Sequence, residues 1–344
     1  MTHKERFHAT IERRPVDRPA AWLGIPTQDA IPLLFDHFQV ESMESLKRKI
    51  GDDVYPVDVP YAHPPANHIA CAFDFAKGNS EDYEERTLTA PGFFEDCEEP
   101  QAVDDFNWPD PKAHIDPQAC RRAAAAVPEG FASLGVMWSA HFQDACAAFG
   151  MENALVTMLE APAMFRAVID RILDFYLEAN RIFYDAVGEA LDAVLIGNDF
   201  GSQTGLMVGA DALRQFVFPG TRKLIEQAHG HGYTVIHHSC GAICPIIEDI
   251  VGLGADAIHP IQALAKDMDA ASLRQRFGEK VSFCGGVDAQ DLLVNGTPYA
   301  VRSAVRNLRA LFPTGLVISP SHEAILPDIP PANIEALFEA IHQT

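Results

Sequence analysis

The sequence is poor in basic residues and has no long uninterrupted apolar run. Lysine and arginine total 26 against 48 aspartate and glutamate residues, which gives a formal net charge of −22 at pH 7. Because a surface this acidic repels nucleic acid and anionic membranes, we expect neither as a partner. No segment approaches the run of about 18 apolar residues that a membrane-spanning helix needs. The charged stretch 1–14 lacks the apolar centre of a signal peptide, so a cytoplasmic location is expected.

Cysteine and glycine-rich motifs are also scarce. The chain has 7 cysteines among 344 residues, and this odd number predicts free thiols or metal ligands instead of a disulfide framework. No glycine-rich phosphate-binding fingerprint follows an early predicted strand, which disfavours a dinucleotide-binding fold. Hydrophobic residues make up 48% of the chain, enough for one large core.

From about residue 130 the chain alternates short apolar runs with amphipathic stretches. The runs are rich in β-branched and aromatic residues and are bounded by turn residues, which predicts buried strands. Apolar residues at helical spacing predict a helix over 163–187 and another over 211–229, kinked at Pro219. The predicted strands lie within 133–139, 192–199, 233–240, 256–262, 281–288 and 315–321.

The first 130 residues are less regular. A helix that begins after Thr2, a suitable N-cap residue, is predicted at the N-terminus. A second helix is predicted over 41–50 and ends at Gly51. The other predictions for this part are short strands within 15–24, 54–59 and 69–73, and a loop or hairpin over 91–111.

The alternation predicts an α/β fold, a (β/α)8 TIM barrel that forms a single domain over residues 1–344, with an irregular N-terminal extension of about 130 residues. Strands that alternate with helices are joined by crossovers and are therefore parallel. Six such units, with one or two earlier strands, approach the eight of a closed barrel. An open doubly wound sheet is the alternative.

Polar side chains follow nearly every predicted strand, where the catalytic groups of a parallel barrel gather. His238 and Cys240 are two residues apart, so in an extended strand both face one side. Imidazole and thiolate together suit zinc, which favours tetrahedral nitrogen and sulfur ligands. A zinc site needs a third protein ligand, for which the candidates are Cys284, His322 and Cys244.

Three further polar residues are candidates for catalysis. Asp199 ends a strand and is suited to orient a substrate or to act as a general base, with a helix cap as the alternative. Gln203 is a candidate hydrogen-bond donor to substrate. Asp288 follows two glycines that let the backbone approach a bound molecule, although it equally suits a helix cap. His259 either points into the barrel or fills it, whereas strand alternation turns His237 away from the site.

Five short stretches carry a family resemblance: 198–203 (NDFGSQ), 238–241 (HSCG), 283–288 (FCGGVD), 319–322 (SPSH) and the ending 327–334 (PDIPPANI). Together they resemble the uroporphyrinogen decarboxylase superfamily, which includes corrinoid-dependent methyltransferases. The resemblance covers nearly the whole chain, is densest from residue 190 onward, and implies a TIM barrel.

The methyltransferase branch of this superfamily binds zinc with a His-x-Cys pair and a much later cysteine. His322 stands at that late position, 84 residues after His238 (322 − 238), so the resemblance implies a zinc site of His238, Cys240 and His322. Histidine is an acceptable zinc ligand in place of cysteine. The loss of one thiolate leaves the metal less electron-rich, which argues against a coenzyme-M-type thiol substrate.

The resemblance therefore implies a zinc-dependent methyltransferase that moves a methyl group between a small molecule and a corrinoid carried by a partner protein. A homodimer is a further expectation. The alternative is a decarboxylase or lyase acting on a small carboxylate, with Asp199 and His322 handling protons; a non-catalytic binding protein is a third interpretation. Uroporphyrinogen itself is disfavoured, because 19–25 lacks the arginine cluster that would clamp its carboxylates.

Overall fold

The structure is a computed structural model that describes residues 1–62, 68–75 and 89–343. Its centre is a curled parallel sheet of seven strands, β2 to β8, in which each strand pairs with the next in chain order. A separate parallel pair joins β1 to β9. The strands are β1 (Ile25–Pro26), β2 (Val54–Asp58), β3 (Ala132–Trp138), β4 (Ala193–Gly197), β5 (Thr234–His238), β6 (Ala257–Ile261), β7 (Ser282–Val287), β8 (Leu316–Pro320) and β9 (Ala324–Ile325).

Helices connect successive strands of the sheet, as parallel strands require. Those of the described residues are α1 (His3–Ile11), α2 (Ala30–Phe38), α3 (Met43–Ile50), α4 (Pro111–His114), α5 (Pro117–Ala125), α6 (His141–Phe149), α7 (Met151–Glu160), α8 (Pro162–Val187), α9 (Ala210–Ala212), α10 (Phe218–Gly230), α11 (Ile247–Leu253), α12 (Ala270–Phe277), α13 (Leu292–Asn295), α14 (Pro298–Leu311) and α15 (Pro331–His342). Within the described part of the chain, none of the helices has the length and apolar character needed to cross a bilayer.

Successive side chains of each strand enter two different apolar layers. Leu134 and Leu195 pack with Trp22 in a cluster inside the curled sheet. Val194 and Ile196, the neighbours of Leu195, belong instead to the larger cluster shared with the helices. Because side chains alternate along a strand, both faces of the sheet are buried, which is the usual state of a parallel sheet.

A short extended segment around Ala21 lies between the first and last strands of the sheet. Ala21 forms a parallel bridge to Ile318 in β8, and its carbonyl accepts the amide of Asp53 beside β2. Two backbone amides of this segment donate to side chains and not to a neighbouring strand. The carboxylates of Asp53 and Asp52 accept the amides of Ala21 and Leu23. The described residues thus contain seven strands of the predicted eight in this sheet.

Most of the predicted elements are confirmed. Thr2 caps α1 in a capping box with Glu5, and the helices predicted over 41–50 and 163–187 are α3 and α8. The helix predicted over 211–229 is interrupted just before Pro219 by a π-helical turn, Leu213–Val217.

Of two further predictions for the N-terminal part, one is wrong and one is settled between its two alternatives. The strand predicted over 69–73 is wrong, because the ring of His68 accepts the Ala70 amide and starts a 3-10 helix, Ile69–Cys71. The stretch 91–111 takes the loop alternative and includes a 3-10 helix, Pro100–Asp105. Residues 63–67 and 76–88 of the predicted extension lie outside the described part.

Candidate metal centre

Polar side chains from several strand ends line one cavity at the carboxyl edge of the sheet. Trp138 ends β3, Asp199 follows β4, His238 ends β5, and His322 and Glu323 follow β8. The cavity has a volume of about 320 Å³. Parallel α/β enzymes gather their catalytic groups at this edge, which is where the sequence analysis placed the site.

Asp199, His238 and Cys240 form the first of three groups of possible metal ligands. The Asp199 Oδ1 lies 3.2 Å from His238 Nε2 and accepts the backbone amide of Cys240 at 2.9 Å. The Cys240 Sγ lies 3.6 Å from the same His238 nitrogen. Gln143 in α6 donates to the other carboxylate oxygen of Asp199 at 3.3 Å. One ligand atom each from Asp199, His238 and Cys240 therefore lies within 4.8 Å of the others.

Two more groups of possible ligands overlap with the first. Cys240, His322 and Glu323 form one, and His238, His259 and Glu323 form the other. His322 Nδ1 accepts the amide of Ala324 at 3.1 Å, which leaves Nε2 as its ligand atom. His238 and His322 thus each share a group with Cys240, but none of the groups found in the described residues contains all three predicted ligands. Each group that contains Cys240 is completed by a carboxylate, from either Asp199 or Glu323.

Glu323 was missed by the sequence analysis, although its position directly after His322 was an available signal. Its side chain is only 13% exposed, and its Oε2 lies 3.7 Å from His238 Nδ1 and 3.6 Å from His322 Nδ1. Within the described residues this oxygen has no hydrogen-bond partner. Because buried carboxylates are normally paired, an unsatisfied oxygen beside two imidazoles and a thiol fits a bound cation.

The charges in this cluster are strongly coupled. Burial by itself raises the pKa of Asp199, but the hydrogen bond and charge of His238 and the amide of Cys240 lower this pKa to about 2. Burial lowers the pKa of His238, but Asp199, Cys240 and Glu323 together raise it well above its ordinary value. Burial and the charge on His238 hold the pKa of His259 well below its ordinary value. The cluster therefore stabilises positive charge at His238, which a metal ion would replace.

The turn after β5 places Cys240 beside Asp199. Gly241 has φ = 87°, and its amide donates to Gln262 Oε1 at 2.6 Å. A Cβ added at this position would collide with the carbonyl of Gly201. Only glycine combines this backbone conformation with so close an approach. The loop after β4 and the turn after β5 are therefore packed against each other, which brings Asp199 to Cys240.

Two predicted catalytic residues lie apart from these groups. The side chain of Gln203 is exposed, and its backbone carbonyl accepts the amide of Lys266 at 2.9 Å. The carboxylate of Asp288 accepts the amides of Gln290 at 3.1 Å and Leu292 at 2.8 Å, as a helix cap does. Among the described residues that line the cavity, neither is present. Their catalytic roles stay predictions.

Two other residues occupy structural positions. Cys284 is fully buried with its Sγ 3.4 Å from Ser319 Oγ, and burial raises its pKa to about 12. His237 is also fully buried and its ring stacks on Phe200, with centroids 5.9 Å apart. Cys284 belongs to none of the ligand groups found in the described part of the chain, and strand alternation turns His237 away from the cavity as expected.

A parallel sheet with ionisable side chains gathered at its carboxyl edge is the arrangement of barrel-like α/β enzymes. The model of the uroporphyrinogen decarboxylase family matches residues 66–344, and the chain belongs to that family. A uroporphyrinogen decarboxylase of Pseudomonas aeruginosa is 34% identical over 192 residues, which cover 54% of this chain and 50% of that protein. Another, from Legionella pneumophila, is 38% identical over 77 residues, which cover 22% of this chain and 21% of that protein.

The chain spans at most about half the length of these curated relatives. A solved structure, a methyltransferase from Methanosarcina mazei, superimposes with a TM-score of 0.69 over 99% of this chain and 98% of its own. At 18% identity this likeness shows the fold alone.

Proposed function

We propose that the protein is a zinc-dependent methyltransferase that moves a methyl group between a small molecule and a corrinoid carried by a partner protein. The observation that carries the proposal is the cluster of thiol, imidazole and carboxylate groups around Cys240, whose ligand atoms lie within 4.8 Å of one another in each group. Thiolate and imidazole together are the ligands that zinc prefers.

Cys240 is the central ligand in this proposal, because it supplies the one thiolate among the three ligand groups of the described residues. His238 and His322 supply imidazole, and Asp199 or Glu323 completes a four-ligand set. Zinc, when bound, supplies a Lewis acid that polarises the leaving atom of the methyl donor or holds an acceptor thiolate. The protein's own part is to orient these ligands, for example by the hydrogen bond from Gln143 to Asp199.

The charge of the cavity favours methyl transfer over the decarboxylation of a polycarboxylate. Its described lining residues include Asp144, Asp199 and Glu323 but neither lysine nor arginine. Substrates with several carboxylates are held by arginine forks or lysine, and the carboxylates of Asp199 and Glu323 would repel them. The likeness to a protein named as a methyltransferase supports the same choice.

A decarboxylase or lyase acting on a small carboxylate is the second candidate. The curated relatives carry the name uroporphyrinogen decarboxylase, which favours it. In this case Asp199 and His322 would move protons without a metal. Release of carbon dioxide from small carboxylic acids, unaffected by chelators, would support this candidate.

The test of the main proposal is metal content combined with methyl transfer. We expect about one zinc per chain, transfer of methyl groups to cob(I)alamin, and loss of both in Cys240→Ala. Cys284→Ala is the matched control, because that thiol is buried away from the ligand groups. Purified protein without zinc, whose activity is unchanged by chelation, would contradict the proposal.

A further inference from the structure

The cavity holds a second polar pair that takes no part in the metal-binding groups. Tyr176 in α8 donates a hydrogen bond from its hydroxyl to Asp144 Oδ2 at 2.6 Å, and both residues line the cavity together with His238 and Asp199. Within the described residues, this is the only hydrogen bond made by the Asp144 side chain. One carboxyl oxygen is thus held by Tyr176, and the other has no hydrogen-bond partner among the described residues.

We propose that Asp144 is the acid of this cavity, which gives its proton to the oxygen that leaves when an O-methyl compound loses its methyl group. This inference rests on the proposed methyl transfer and deepens it by naming the class of methyl donor. Tyr176 is a positioning residue, because it acts only through Asp144.

The surroundings of Asp144 favour the neutral form of its carboxyl group, which carries the proton. Burial raises the pKa of Asp144 to about 7, although the hydrogen bond from Tyr176 lowers it. Burial and the neighbouring Asp144 raise the pKa of Tyr176 well above its usual value, so its hydroxyl remains a donor. A buried carboxyl group that keeps its proton up to neutral pH, with one oxygen fixed by a hydrogen bond, is suited to act as a general acid.

The described groups that face Asp144, other than Tyr176, do not lower its pKa. Cys71, in a 3-10 helix, and Cys146, in the same helix as Asp144, are neutral thiols whose pKa values are raised by burial and by Asp144. No lysine or arginine is present among the described lining residues to lower the pKa of Asp144. The other titratable groups lining the cavity are Tyr176, Asp199, His238, His322 and Glu323.

An acid in this position specifies the chemistry of the leaving group. In the transfer step the reduced corrinoid cobalt, as co-substrate, supplies an electron pair to the methyl carbon. The carbon–oxygen bond breaks with its electron pair on oxygen, and Asp144 delivers a proton there, so that an alcohol or phenol leaves. Water then returns a proton to the carboxylate. A quaternary ammonium or sulfonium donor would leave as a neutral amine or thioether and would need no acid.

The experiment compares methyl donors and variants in the zinc-loaded protein. Methanol and methoxybenzene are the O-methyl probes, tetramethylammonium and trimethylsulfonium are the probes that need no proton, and cob(I)alamin is the acceptor. We expect transfer from the O-methyl probes at a rate that falls as the pH rises through about 7. Asp144→Asn should lower this rate by roughly 100- to 10,000-fold, the usual contribution of a general acid.

The variant Tyr176→Phe tests whether Tyr176 acts on catalysis by positioning Asp144 or only supports the fold. Because the Tyr176 hydrogen bond lowers the pKa of Asp144, its removal should move the fall in rate to higher pH. Tyr184→Phe is the matched control, since Tyr184 is a buried tyrosine of the same helix that does not line the cavity. Its pH profile should match that of the wild-type protein.

The outcomes separate the inference from the proposed function. Transfer only from the ammonium or sulfonium probe would support the proposed methyltransferase function but overturn the inference about Asp144. O-methyl transfer that is independent of pH and unaffected by Asp144→Asn overturns it as well. No transfer from any probe overturns both.

The protonation state of Asp144 can also be measured in the wild-type protein, so the test does not depend on a variant that folds. Carbon-13 NMR of labelled aspartate should show one carboxyl resonance that titrates near pH 7. A titration of Asp144 near 4, the ordinary value for aspartate, would overturn the inference.

Discussion

The Nδ1 atoms of His238 and His259 lie 2.8 Å apart. Two ring nitrogens at this distance share one proton, so the tautomer of one ring fixes that of the other. If His238 binds zinc through Nε2, its Nδ1 carries the proton and donates it to His259. The low pKa of His259 keeps that ring neutral and able to accept. His259 is therefore expected to orient His238 as a metal ligand.

The first prediction is that His259→Phe weakens zinc binding by about 10- to 100-fold, the usual cost of losing the partner of a ligating histidine. Phenylalanine fills the space but accepts no hydrogen bond, whereas His259→Asn keeps an acceptor and should restore part of the affinity. Competition with a chromogenic chelator measures the dissociation constant. His237→Phe, at a buried histidine that packs on Phe200, is the control and should bind zinc like the wild-type protein. Equal affinities in all variants would contradict the role of His259.

The second prediction concerns the thiolate that the resemblance leads one to expect at position 322. His322 shares a group of possible ligands with Cys240 and Glu323, so a cysteine at 322 would bring a second sulfur to the metal. We expect His322→Cys to bind zinc about tenfold more tightly, or about 1.4 kcal/mol. Cobalt(II) substitution should give a thiolate-to-metal absorption band of about twice the wild-type intensity.

Cys284→Ala serves as the control for this band, because the Cys284 thiol is buried and belongs to no ligand group of the described residues. Its spectrum should match that of the wild-type protein. A band in His322→Cys no stronger than in the wild-type protein would place residue 322 outside the metal's coordination shell.

The sequence predicted those features that are local or periodic. Alternating apolar runs located the strands β3 to β8, and a two-residue spacing placed His238 and Cys240 on one side of β5. The pairing of Asp199 with Cys240 depends on two loops packed through Gly241, which no local pattern encodes. Glu323 lies in the site because β9 pairs with the distant β1, and this long-range contact leaves no periodic signal.

Asp144 was missed for a related reason. On the sequence it is one polar residue in an amphipathic helix, indistinguishable from a solvent-exposed position. Its partner Tyr176 is 32 residues further along, in a helix that reads as entirely structural. The same limit explains the N-terminal part, where the His68 cap overrides an apolar run that resembles a strand.

The third prediction concerns the ionic cluster that fastens the segment around Ala21. Asp53 is completely buried and pairs with Arg6 at 2.7 Å and Arg18 at 2.6 Å, while its Oδ2 also accepts the Ala21 amide. Removing one partner of a buried ion pair leaves the other charge uncompensated. We therefore expect Asp53→Asn to lower the free energy of unfolding by about 3–5 kcal/mol, as measured by urea denaturation.

The pH dependence of this loss has a definite sign. Burial raises the pKa of Asp53, but His3 and the two arginines hold it below its ordinary value. The carboxylate thus contributes stability above about pH 4, the pKa of an unfolded aspartate, and loses it as the pH falls through the folded pKa. Asp17→Asn, at a 45% exposed partner of Arg6, should cost less than about 1 kcal/mol. Equal losses in the two variants would contradict the role assigned to burial.

The fourth prediction tests whether the turn at Gly241 sets the position of Cys240. Gly241→Ala places a side chain at a positive φ and against the carbonyl of Gly201, and it should cost at least about 1–3 kcal/mol of stability. Because relief of the collision moves this turn away from the loop that carries Asp199, zinc affinity should fall as well. Gly252→Ala is the matched control: Gly252 lies in α11, and an added Cβ there meets no atom within 4 Å. That variant should gain about 0.5–1 kcal/mol and keep its zinc affinity, since alanine suits a helix interior better than glycine. A Gly241→Ala protein that is less stable yet binds zinc normally would show that Cys240 is positioned by β5 alone.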